Sequence, residues 1–143
     1  MMLKNKFNPL IQANHKIMLI LLFSNLFSSI NSESQITLKV KEAGESNILN
    51  DEFNTDPSEV IVNSESKPTC KKKCDIPRSY STVIIKFNSQ LTSCLNMFNG
   101  LSNIVEIDLS KFDASKVITM ENMFMDCTKL EKVTLGNIDT SLV

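Results

Sequence analysis

Cys70 and Cys74 bracket three lysines in the run CKKKC, and two further cysteines, Cys94 and Cys127, follow at wider spacing. A C-x-x-x-C pair can close a disulfide or supply two ligands of a zinc site. Zinc needs two more donors, and the sole histidine, His15, lies near the N-terminus. Four cysteines allow three pairings. The expected bridge joins Cys70 to Cys74, with a mixed pairing of one of them to Cys94 as the alternative. No metal site and no cofactor is expected. The lysines between the two cysteines read as a solvated loop, against the alternative of a basic patch for sulfated or sialylated glycans.

Acidic side chains are the other group that could act. Glu106, Asp108, Glu121 and Glu131 could in principle pair for general acid and base work, but such chemistry needs a cleft that raises one carboxyl pKa, and these are scattered. Asp113 and Asp139 each precede a serine by two residues, Ser115 and Ser141. Calcium would want about six to eight oxygens, whereas an Asx turn, with the carboxylate accepting the N–H two residues on, explains the spacing without a metal. The chain is therefore not expected to be an enzyme.

The elements that must hold these residues begin with a leader. Residues 1–16 carry Lys4, Lys6 and Lys16 and no acid, and the apolar run IMLILLFSNLF gives way to small polar residues near Ser32. This is the layout of a secretory signal peptide, and the run is too short for an uninterrupted membrane span. Without residues 1–32 the chain loses His15 and those three lysines, leaving 12 basic against 16 acidic residues, a formal charge of −4. That balance argues against nucleic acid as a partner. The expected location is extracellular or at the cell surface, by way of the secretory pathway.

Residues 33–81 read as a β-rich N-terminal segment. ITLKVK and EVIVN alternate apolar and polar positions, which predicts two strands that pair as a hairpin across a long connection. The following run from Ser64 to Ser81 reads as an exposed loop carrying the cysteine pair, because Pro68, Pro77 and a basic cluster oppose a buried element.

Residues 82–143 form a repeated part. Met97-Phe98 recurs as Met123-Phe124, 26 residues on, and at that offset Leu109, Asp113, Ser115 and Val117 match Leu135, Asp139, Ser141 and Val143. IVEIDL and LEKVTL share an apolar-x-x-apolar-x-apolar pattern that predicts a short strand. Cys94, Met97, Phe98 and Leu101, and likewise Met120, Met123, Phe124 and Cys127, fall at i, i+3, i+4 and i+7. That spacing predicts one face of a two-turn helix, with Ser93 and Thr119 as caps. The expected fold is an α/β solenoid of leucine-rich-repeat-like coils, each a short strand plus a short helix, with an N-terminal β-rich cap. In that arrangement Cys94 and Cys127 lie seven helical positions apart, roughly 10 Å, beyond the reach of a bridge, and serve as small buried hydrophobes.

The string MFxxCxxLxxVxLxxIDTSxV, from Met123 to Val143 and more loosely from Met97 to Val117, resembles the BspA-type leucine-rich repeat of surface proteins from bacteria and protists. The chain departs from that pattern at Leu101, where the family often has Cys, and has Phe112 or Ile138 in the slot of the asparagine ladder of many other leucine-rich repeats. The resemblance implies a secreted or cell-surface module for adhesion or protein binding, with a protein or glycan ligand on a cell surface. The outward strand positions Glu106, Asp108, Lys132 and Thr134 are the expected contacts. The alternative is a structural coat component assembling through the open edge of the last coil. The repeat stops at Val143 in mid-pattern, so the expectation is a truncated chain, any membrane anchor lying in missing C-terminal sequence.

Overall fold

The computed structural model describes residues 33–143, so the signal peptide assigned to residues 1–32 lies outside the described residues. Eight strands follow in order: β1 (Ser34–Val40), β2 (Gly44–Asn47), β3 (Glu59–Val62), β4 (Glu65–Ser66), β5 (Lys73–Ile76), β6 (Ser81–Phe87), β7 (Ile104–Lys111) and β8 (Lys132–Thr134). Six of them form one sheet in the order β4-β3-β6-β1-β7-β8, and β2 and β5 form a two-stranded sheet. All pairs are antiparallel except β7 with β8, which is parallel.

The large sheet follows from period-two alternation. In β1 the side chains of Ser34, Ile36, Leu38 and Val40 are buried, and in β6 those of Ser81, Val83, Ile85 and Phe87, while the residues between them are half-buried on the opposite face. Ile104, Ile107 and Leu109 continue the buried face into β7. Cys74 and Ile76 of β5, with Ile48, Leu49 and Phe53 from the segment after β2, close over this face in the same core. Phe53 meets Phe87 edge to face, with ring centroids 6.3 Å apart. The N-terminal segment and the repeated part thus share one sheet and one core.

The expected α/β solenoid is not what the chain forms. The described residues are all-β, without a helix, and the sheet is mixed, with only its last pair parallel. The two runs read as helices are instead chains of tight turns. Met97 N donates to Cys94 O, Asn99 N to Asn96 O and Leu101 N to Phe98 O, at 3.1 Å each, and the same i to i+3 pattern recurs from Met120 to Leu130. Asn96, Gly100, Asn122 and Asp126 hold positive φ between 53° and 73°, once per turn, which interrupts a right-handed helix. The intervening amides leave the run altogether. Those of Cys94, Asn96, Phe98 and Gly100 donate to the carbonyls of Thr119, Glu121, Met123 and Met125 at 2.8 to 3.0 Å, joining the two runs in parallel at the 26-residue register. Ser93 and Thr119 accept from the amides of Leu95 and Glu121, two residues on, and so start turns rather than cap helices.

Two further expectations are corrected. β1 and β3 do not pair with each other, because β6 lies between them and bonds to both. The run from Ser64 to Ser81 is not a plain exposed loop: it contains β4 and β5 and buries Cys70, Cys74 and Ile76. The N-terminal segment closes the leading side of the repeated part, with β1 against β7 and the Asn50 backbone and side-chain amides donating to the Met97 and Asn99 carbonyls at 2.9 and 2.7 Å.

Candidate functional site

The outward positions of β7 and β8 converge with those of β1 and β6. In the register, Lys39 stands opposite both Thr82 and Glu106, Glu106 opposite Lys132, Thr37 opposite Asp108, and Asp108 opposite Thr134. Directly opposed side chains in a sheet lie about 5 Å apart at Cβ. Two rows result across the face, one reading Thr82, Lys39, Glu106, Lys132 and the other Ile84, Thr37, Asp108, Thr134. All of these except Ile84 line a shallow depression of about 270 Å³. Glu106, Asp108, Lys132 and Thr134 therefore occupy one site.

Thr37, Lys39 and Thr82 complete it from the N-terminal side and were not among the residues expected from the sequence. Their signal was present in the alternation of ITLKVK and STVIIKF, whose polar positions must share a face once the strands join one sheet. Ser110 holds the Asp108 carboxyl below the usual carboxylate range through its hydroxyl and through its backbone N–H, which donates to Asp108 Oδ1 at 2.8 Å, and nearby Lys111 and Lys132 add to the effect. The site thus offers three hydroxyls, two ammonium groups and two carboxylates, a lining that fits a polar, hydrogen-bonding ligand. An Asp108 held ionised is poorly suited to deliver a proton near neutral pH.

Cys70 and Cys74 are joined by a disulfide, with their Cα atoms 5.0 Å apart. Two of the three lysines between them are engaged with backbone, while Lys73 is exposed on β5. Lys71 Nζ donates to the Pro57 carbonyl at 3.3 Å and Lys72 Nζ to the Asp51 carbonyl at 2.7 Å, so the loop is tied to the chain preceding β3. Cys94 and Cys127 are free. Burial pushes the Cys94 thiol up to about 12, and Cys127, also raised by burial, donates its S–H to the Phe98 carbonyl at 3.0 Å. Neither is an activated nucleophile.

Asp113 and Asp139 form Asx turns. Each Oδ1 accepts the serine N–H two residues on at 3.0 Å, and Asp113 also accepts from the Ser115 hydroxyl and from Gln90. Among the described residues no cluster of three or more Cys, Asp or Glu is arranged to hold a metal ion.

No characterised protein and no solved structure gave a significant match to the chain. The span that carries β6, β7, β8 and both Met-Phe turn runs, residues 78–143, is similar to the family described as Mycoplasma protein of unknown function, DUF285.

Proposed function

We propose that the chain is a secreted or cell-surface binding module that uses the outer face of its six-stranded sheet. The observation that carries this reading is the convergence of Glu106, Asp108, Lys132 and Thr134 with Thr37, Lys39 and Thr82 around one open depression. Its paired charges and hydroxyls suit a polar ligand such as a glycan or a polar protein surface. A flat sheet face provides contact area without a deep pocket. The Cys70–Cys74 bridge is in keeping with an oxidising compartment. The resemblance of Met123 to Val143 to BspA-type repeats adds support for a role at a cell surface, and the family match covers the same residues.

The test is binding of the full chain to immobilised cell-surface glycans and to intact cells, beside a Lys39→Glu, Glu106→Lys variant. Exchanging the two charges keeps an opposed pair across β1 and β7 and changes the charge order of the face. Because position 106 also stands opposite Lys132, circular dichroism of the exchanged chain first establishes that its sheet is intact. Binding by the parent chain that the exchange abolishes supports the reading. Equal binding by both chains, or none by the parent, overturns it.

A further inference from the structure

Two acids on β7 share the outer face but have different neighbours. β7 is paired on both sides, with β1 and with β8, so the register sets what stands beside each of them. Glu106 has an ammonium on either side, from Lys39 and Lys132, whereas Asp108 has a hydroxyl on either side, from Thr37 and Thr134. A carboxylate accepts at about four positions. On Asp108, Ser110 fills two of them, with its backbone N–H at 2.8 Å and its hydroxyl, and no other group among the described residues donates to that carboxylate.

This arrangement selects against a charged ligand. An anion drawn to Lys39 or Lys132 comes against Glu106, which lies about 5 Å from each across the sheet. A cation drawn to Asp108 meets the same two lysines on the diagonals, about 7–8 Å away. An uncharged ligand rich in hydroxyls escapes both penalties, because each hydroxyl can donate to a carboxylate and accept from a neighbouring ammonium or threonine. Beyond Thr37 in the same row, half-buried Ile84 gives an apolar edge beside the depression, suited to the C–H face of a sugar ring.

We propose that the face binds an uncharged saccharide, with Asp108 accepting its hydroxyls and setting the preference over sulfated or sialylated chains. The inference rests on the reading of this face as the binding surface and adds the class of ligand. A protein partner suits the depression less well, since its lining has no aromatic side chain and no arginine to serve as an anchor. A second copy of the chain meets like charge. Face to face about a two-fold axis along β7, two copies set Glu106 on Glu106, and about an axis between the two rows they set Glu106 on Asp108.

The probe is a panel of neutral oligosaccharides ending in glucose, galactose, mannose, fucose or N-acetylhexosamine, beside sulfated and sialylated forms of the same chains, read with the full chain. Neutral forms are expected to bind, and their charged forms about tenfold more weakly. The tightest neutral binder, titrated by NMR, is expected to move the Thr37 and Asp108 amide signals. Its affinity is expected to hold as salt rises from about 50 to about 500 mM, since an uncharged ligand has no net charge to screen. Asp108→Asn keeps an acceptor for the Ser110 amide and is expected to weaken that binding about tenfold, the loss of a charge-assisted bond. Asp113→Asn, outside the depression, is expected to leave it unchanged. Preference for sulfated or sialylated chains, or for a protein ligand, that is lost in the Lys39→Glu, Glu106→Lys exchange would overturn this inference and leave the face as a binding surface. Equal affinity of Asp108→Asn and the parent would overturn it as well. No ligand at this face at all would overturn both readings.

Discussion

Phe98 lies stacked on Phe124, its counterpart 26 residues along the chain, with ring centroids 6.0 Å apart and planes 9° from parallel. The contact joins equivalent positions of the two turn runs, beside the Phe98 N–H to Met123 carbonyl bond of 3.0 Å. Phe98 is fully buried, whereas Phe124 packs only partly against the core. Phe98→Ala is expected to cost about 3–5 kcal/mol, as truncating a core aromatic does. Phe124→Ala is expected to cost about half that, because less area leaves water and the site can relax. Urea unfolding of both variants measures the pair. Equal losses would show that the second run is as tightly held as the first.

Gly136 occupies the repeat slot of Ser110 and lies directly against it. Its φ is +60°, and a Cβ there would sit 2.7 Å from Ser110 Cα and 2.9 Å from Ser110 Cβ. The positive φ alone costs an alanine about 1–2 kcal/mol, and the overlap with backbone cannot be relieved by a rotamer. Gly136→Ala is expected to loosen the chain after β8 while leaving β1 and β6 intact. Hydrogen exchange reads this as faster exchange at Thr134 with unchanged protection at Leu38 and Ile85.

Much of the sheet was legible because β1 and β6 alternate so regularly that only one face of each can be buried, whereas β7 breaks the alternation at Ile104 and Val105, both buried where its pairing with β1 shifts register. The 26-residue register was legible too, since it appears both as the β7–β8 pairing and as the bonds between the turn runs. The helices were misread for a physical reason. Apolar residues at i, i+3, i+4 and i+7 also satisfy successive four-residue turns that bury one edge. The contrary signal was Asn96 with Gly100, repeated as Asn122 with Asp126, which are residue types that tolerate positive φ at the same slots of both copies. The partner of β3 was not legible, because pairing with β6 depends on a strand some twenty residues further on. The outer-face site was half visible: its β7 and β8 residues followed from alternation, while Thr37, Lys39 and Thr82 required the sheet order.

The cysteines give a direct check. Under denaturing, non-reducing conditions two thiols are expected, Cys94 and Cys127, and four after reduction. In the native state Cys127 should react slowly with a soluble disulfide reagent, and Cys94 only on unfolding, since it is buried. Replacing Cys70 and Cys74 by serine is expected to lower stability by about 2 kcal/mol, the loop-closure value for so short a ring. Detecting four thiols before reduction would remove the bridge from consideration.

Acid is expected to weaken the fold. Five carboxyls are held below their ordinary values: Asp113 by the Ser115 hydroxyl, then Gln90 and the Ser115 amide; Asp108 by Ser110; Asp139 by the Ser141 amide and hydroxyl; Glu59 by Lys86 and Ser66; Glu42 by Lys129. For a lowered carboxyl the stabilisation is fully present above the unfolded pKa, near about 4, and is lost as pH falls through the folded value. Lys86, raised by its bonds to Glu59 and Glu33, has the opposite sense. Its contribution is full below the unfolded lysine pKa of about 10.4 and fades as pH rises through the higher folded value. Tm should therefore be level through the neutral range, fall below about pH 4, and fall again only in strong alkali. Asp113→Asn should flatten part of the acid limb, because Ser115 then meets an amide oxygen that does not titrate in this range. An acid limb unchanged by that substitution would assign the loss to the other four carboxyls.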